Sequence, residues 1–146
     1  MRNQFLIGLA VAAMAAYSFT YDSGVAWIIA ASNAAELGYA PQISNEREIK
    51  VTATPQKILG EARTWDFEVV METHTKALND DLAKSAVLIA DGKQYLPLGW
   101  EGAPPGGHHR KGVLRFKAIA PPPAAVELRI RLAGDASPRS FKWLLK

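Results

Sequence analysis

The sequence predicts an all-β domain, an immunoglobulin-like two-sheet sandwich of about seven strands, behind an apolar N-terminal segment. Three observations lead there. Short stretches with apolar residues at every second position recur from residue 48 to residue 145. Turn formers separate them, among them Asp91-Gly92, Pro121-Pro122-Pro123 and Gly134-Asp135. No stretch carries the apolar spacing of a long helix. A small open barrel is the alternative closure of the same strands.

The chain divides into residues 1–35, a signal peptide or N-terminal membrane anchor; residues 36–46, a linker; and residues 47–146, the sandwich. Arg2 supplies a positive start, and Phe5 to Ala16 is continuously apolar and alanine-rich, the layout of a secretory signal. Small residues suit cleavage near Ala16-Tyr17-Ser18, and a second candidate lies near Ser32-Asn33-Ala34 after the apolar run Val25–Ala31. The first run is shorter than the roughly 20 residues of a comfortable span. If the whole segment is retained it tethers the domain, although Asp22 interrupts a single clean helix. The expected location is therefore exported: periplasmic or extracellular, or held at the membrane.

Within the domain, Glu48–Ala53 alternates and Pro55 closes it. In Thr64–Thr73, Phe67, Val69 and Met71 share one face, while Asp66, Glu68, Glu72 and Val70 share the other. Lys76–Lys84 is polar with leucines four apart, which suits one helical turn in a crossing loop. Ser85–Ala90 is an apolar strand, and Asp91-Gly92 turns it into Lys93–Leu98, which Pro97 assigns to an edge. Gly112–Ala118 puts Leu114, Phe116 and Ala118 inward. Val126–Leu132 alternates throughout, and Phe141, Trp143 and Leu145 mark the last strand. Pairing the second strand with the fifth sets Asp66, Glu68 and Glu72 against Arg115 and Lys117.

Composition narrows the chemistry. The chain has 146 residues, of which 49% are hydrophobic, and it has no cysteine. Disulfides, thiolate-bound metals and thiol catalysis are thereby excluded. A net charge of +3, with no basic cluster interleaved with aromatics, gives no nucleic-acid footprint.

The candidate site is built on histidine. His108 and His109 follow Gly106-Gly107 in the run Gly99–Phe116, and the third histidine, His74, ends the second strand. Antiparallel pairing of strands two and five brings all three to one end of one sheet. Imidazole is a common ligand for copper or zinc, so His74, His108 and His109 form a candidate metal site, with Asp81 and Glu101 as further ligands. Consecutive residues of an extended chain point opposite ways, which sets His108 and His109 apart unless the loop is irregular. The competing reading gives the histidines to the fold, each pinning a loop by a hydrogen bond to a carbonyl. Thr73, Thr75 and Ser85 are the hydroxyls near the histidines in sequence, and no nucleophile elbow accompanies them. The expected function is an accessory domain without turnover that binds copper or zinc. The alternative is a structural or protein-interaction module of the cell envelope. The expected partner is accordingly a metal ion or an envelope protein, with membrane contact through the N-terminal segment if it is uncleaved.

The stretch Trp65–Phe116 resembles a family of small exported prokaryotic β-sandwich domains of unassigned activity. The likeness rests on Glu72-Thr73-His74, Leu78, Asp81, Asp91-Gly92, Trp100, and Gly106-Gly107-His108-His109 leading into Gly112-Val113-Leu114-Arg115-Phe116. It implies an exported sandwich and carries no assigned activity.

Overall fold

The computed structural model describes residues 39–145, and the signal or anchor expected over residues 1–35 lies outside them. The described chain is a β-sandwich of two antiparallel sheets. The strands are β1 (Gln42–Glu46), β2 (Ile49–Lys57), β3 (Thr64–Thr73), β4 (Ala86–Ala90), β5 (Lys93–Tyr95), β6 (Gly99–Gly102), β7 (His109–Lys117), β8 (Ala125–Ile130) and β9 (Arg139–Leu144), with one helical turn, α1 (Leu82–Ser85). One sheet has the order β1-β2-β3-β7-β6, and the other β5-β4-β8-β9. Among the described residues no helix is long and apolar enough to cross a membrane.

Alternation decides what lies between the sheets. Trp65, Phe67, Val69 and Met71 of β3 and Leu114 and Phe116 of β7 are buried from one side. Leu88, Leu128, Ile130, Phe141 and Trp143 are buried from the other. The Phe67 ring meets Phe116 edge-on at 5.7 Å within its own sheet, and reaches Trp143 of the facing sheet at 5.6 Å. Burying one such ring contributes about 2–3 kcal/mol, so this layer supplies the main cohesion of the two sheets.

The expected pairing of Thr64–Thr73 with the strand over Gly112–Ala118 is present, as β3 against β7, which spans His109–Lys117. Asp66 lies opposite Arg115 and accepts from its Nε at 2.9 Å and its Nη2 at 3.3 Å. Lys117 faces Thr64 instead of an acid, and Glu68 and Glu72 are paired with Lys111 at 3.1 Å and Lys50 at 3.0 Å. Asp91 and Gly92 both take positive φ, as their hairpin requires.

Two strands differ from expectation. Residues 42–46, assigned to the linker, form β1, which pairs with β2 through a two-residue turn. That turn is Arg47-Glu48, and both residues sit in the left-handed region, φ 51° and 65°. For non-glycine residues this conformation costs about 1–2 kcal/mol each, so composition gave no turn signal there. Gly99–Gly102, placed in a loop, pairs with β7 as β6. Its approach is close: a Cβ on Gly112 would lie 2.5 Å from Trp100 Cζ2 and 2.6 Å from the Glu101 carbonyl oxygen.

At one side the sheets are joined across their edges. The Gln42 side chain accepts from the Lys142 N–H of β9 at 2.9 Å and donates to the Lys142 carbonyl. Trp143 Nε1 donates to the Ala40 carbonyl at 2.8 Å.

Candidate functional site

Four connections meet at one end of the sandwich: the Arg47-Glu48 turn, residues 74–81, residues 103–108 and residues 131–138. The β3–β7 ladder continues into two of them. Thr73 N–H donates to the His108 carbonyl at 3.0 Å, Leu78 N–H to Gly107 at 3.0 Å, and Gly106 N–H to Leu78 at 2.8 Å. Gly106 and Gly107 have φ of 119° and 69°, which is why this bend is written in glycine.

Two buried arginines hold this end together. Arg110 is 2% exposed. Its Nη1 donates to the carbonyls of Leu78 at 3.1 Å and Asp80 at 2.7 Å, and its Nη2 to Ala103 at 3.3 Å. The guanidinium carbon lies 5.5 Å from the Trp100 ring centre, in cation–π range, while Trp100 Nε1 donates to the same Ala103 carbonyl at 2.9 Å. Burial lowers the Arg110 pKa, and the charges of Asp80 and Asp81 pull it back. Arg139 is 1% exposed. It donates to Asp135 at 3.0 and 3.4 Å, to the Ile49 carbonyl at 2.6 Å and to the Glu46 carbonyl at 2.9 Å. Glu46 and Ile49 flank the strained Arg47-Glu48 turn, so Arg139 holds that turn from below. Asp80 ties in the remaining connection by accepting from Ala133 N–H at 2.8 Å.

The histidines divide along the strand alternation. His108 shares the phase of Arg110, and its Nδ1 meets the Lys76 carbonyl at 2.8 Å. A carbonyl only accepts, so Nδ1 carries the proton and Nε2 holds the free lone pair of the neutral ring. His109 starts β7 on the outer face, opposite Glu72, with Nδ1 3.9 Å from Glu72 Oε1. His74 lines the same groove as His109, an open cleft of about 550 Å³ that also takes in Asn45, Glu48, Lys50, Glu72, Thr73 and Thr75. Glu72 is the electrostatic centre of this groove. Its hydrogen bond to Lys50 and the Lys50 charge hold its carboxyl below the ordinary value, against desolvation and with lesser help from His109 and His74.

The structure thus brings His74 and His109 into one groove with Glu72, and turns His108 to the loop behind it. Asp81 caps α1, accepting from Ala83 N–H at 3.1 Å, and pairs with Lys84 at 3.3 Å. Glu101 pairs with Arg115 at 2.8 Å and lies opposite Val113, four residues along β7 from His109, or about 13 Å. Among the described residues no three His, Cys, Asp or Glu side chains are grouped to hold a metal ion. The nearby hydroxyls are engaged: Thr73 Oγ1 accepts from Thr75 N–H at 3.4 Å, Thr75 Oγ1 donates to Glu48 at 3.1 Å, and Ser85 Oγ to the Asp81 carbonyl at 2.8 Å.

Sequence reasoning passed over Arg110, Arg139 and the Lys50–Glu72 pair. The signal for both arginines is phase. Arg110 falls two residues before Gly112 in step with Leu114 and Phe116, and Arg139 is in step with Phe141 and Trp143, so each alternation places a cation on the inward face. Comparison with family models, with curated proteins and with solved structures finds no match to this chain.

Proposed function

We propose that the protein is an exported, membrane-tethered, immunoglobulin-like module of the cell envelope that binds a partner through its pinned loop end, without turnover. The strand order supports the fold assignment, because β2, β3, β7 and β6 form one sheet and β5, β4, β8 and β9 the other, as in immunoglobulin-type sandwiches. The observation that carries the binding role is the buried Arg110 beneath two loops. A cation removed from water is an expensive way to hold a loop, and what it achieves is a fixed surface around the groove. A fixed surface avoids the ordering cost of association.

This reading is tested by photo-crosslinking in intact cells, with a photoreactive side chain at Thr75 beside the groove or at Gln56 at the far end of β2. A discrete protein adduct from Thr75, lost in the Arg110→Met variant and missing from Gln56, is expected. Equal adducts from both positions overturn it.

A second reading takes copper or zinc into the groove through His74 and His109, with Glu72 as a carboxylate ligand. Two imidazoles and a carboxylate are a chemically suitable donor set for either metal. It is favoured by the shared groove, and it requires Glu72 to exchange Lys50 for the metal and the three side chains to close together, since among the described residues no three such groups are gathered for a metal as they stand. Calorimetric titration of the purified protein is then expected to show one stoichiometric site, weakened at least tenfold by His74→Ala and unchanged by His108→Ala. No stoichiometric heat removes this reading and leaves the first intact.

A further inference from the structure

The end of the sandwich opposite the histidine groove has a different surface. The connections 58–63, 91–92 and 118–124 gather there, with the last residues of β9. Three large apolar side chains are exposed on it: Leu59 at 41%, Leu98 at 63% and Leu144 at 76%. Leu98 sits beside the lower end of β7, its N–H donating to the Arg115 carbonyl at 2.7 Å, and Leu144 lies opposite Ala125 at the start of β8. Lys57, Arg63, Lys93 and Lys117 are exposed at the same end, against the acids Glu61 and Asp91. None of these four cations is in an ion pair with another described residue. At the histidine end Lys50, Lys76 and Lys84 each pair with a carboxylate, while Arg47 and Arg131 are exposed and in no ion pair with another described residue.

The chain also enters the domain on this side. Tyr39 packs against the core, and Ala40 is held by Trp143, two residues from Leu145.

We propose that this end of the domain lies on an anionic lipid surface, with Leu59, Leu98 and Leu144 entering the headgroup layer and the four cations facing lipid phosphates. The inference rests on the tethered reading above and adds the domain's own contact to it. Exposed leucines and unpaired cations at one end of a domain are the combination that an anionic bilayer attracts, each cation strengthening binding about fivefold. The arrangement turns the histidine groove away from the membrane.

The chain has no cysteine, so a single introduced thiol gives a unique label. The full chain is labelled with an environment-sensitive fluorophore at Ala124→Cys on the apolar end or at Thr75→Cys by the groove. It is mixed with vesicles of phosphatidylcholine with phosphatidylglycerol, or of phosphatidylcholine alone. Flotation measures attachment, and iodide quenching measures access from water. The expected result is at least twofold protection of the 124 label on anionic vesicles, lost on neutral vesicles and in the double variant Lys57→Gln, Lys117→Gln. The 75 label stays open to iodide throughout. Flotation with both labels equally quenched overturns this inference and leaves the tether standing. Equal protection on neutral vesicles overturns the choice of anionic lipid. Failure to float on any vesicle overturns both the inference and the tether.

Discussion

The two ends of this sandwich share one core and differ in how their connections are held. At the histidine end, the loops are tied by Arg110, Arg139, Asp80 and His108 to carbonyls, amides and a carboxylate. At the opposite end, connections consist of prolines, a tight Asp91-Gly92 turn and the short 58–63 segment, and their cations reach into solvent. The difference teaches that loop geometry here is set by buried polar contacts at one end and by local backbone preference at the other. Removing a side chain therefore has unequal consequences at the two ends.

The sharpest contrast is expected from Arg139. Arg139→Met leaves the buried Asp135 carboxylate without its cation and removes the guanidinium's bonds to the Glu46 and Ile49 carbonyls. The loss is about 3–5 kcal/mol in chemical denaturation. Lys57→Met at the other end changes stability by no more than about 0.5 kcal/mol. Similar losses at both sites would erase the comparison.

Arg110→Met is expected to cost about 2–3 kcal/mol, since it removes three hydrogen bonds and the Trp100 contact, while the Leu78 and Ala103 carbonyls keep Gly106 N–H and Trp100 Nε1 as donors. Hydrogen exchange locates the effect: the Leu78 and Gly106 amides speed up, while the Ala118 amide, bonded to Arg63 at the far end, keeps its protection.

The Asp135–Arg139 pair also predicts an acid response. Burial pushes the Asp135 carboxyl upward, but hydrogen bonds from Arg139 and the Leu132 N–H, with the charges of Arg139 and Arg47, bring it below its ordinary value. A carboxyl depressed in the native state contributes stability that is complete above its unfolded pKa of about 4 and falls away as pH drops toward the native value. Denaturation at pH 6 and pH 3 is expected to show a smaller acid loss in Asp135→Asn than in the parent, although the variant is less stable at pH 6.

The smallest effect belongs to His108→Ala, which removes one hydrogen bond at the surface and costs about 0.5–1 kcal/mol.

Much of this architecture is legible in the sequence because it follows from alternation. Phe67, Leu114, Phe116, Leu128 and Trp143 are inward where the period of two puts them, and Asp91-Gly92 turns the chain as its residues demand. What was not legible depends on distant partners. Arg47-Glu48 resembles no turn, since its left-handed backbone is supported by Arg139, over 90 residues away in the chain. The convergence of His74 and His109 follows from strand pairing. The turn of His108 toward the Lys76 carbonyl depends on where β7 begins, and the strand starts three residues before Gly112, the start expected from the sequence.

Gln42 has a bearing on self-association. Strand β9 is the longest edge of its sheet, and an exposed edge is where another chain adds and a fibril grows. By occupying both main-chain groups of Lys142 with one amide, Gln42 takes the position that a templated strand would need. Growth along β9 must first expel a residue of the same molecule, which makes Gln42 an internal block on that edge.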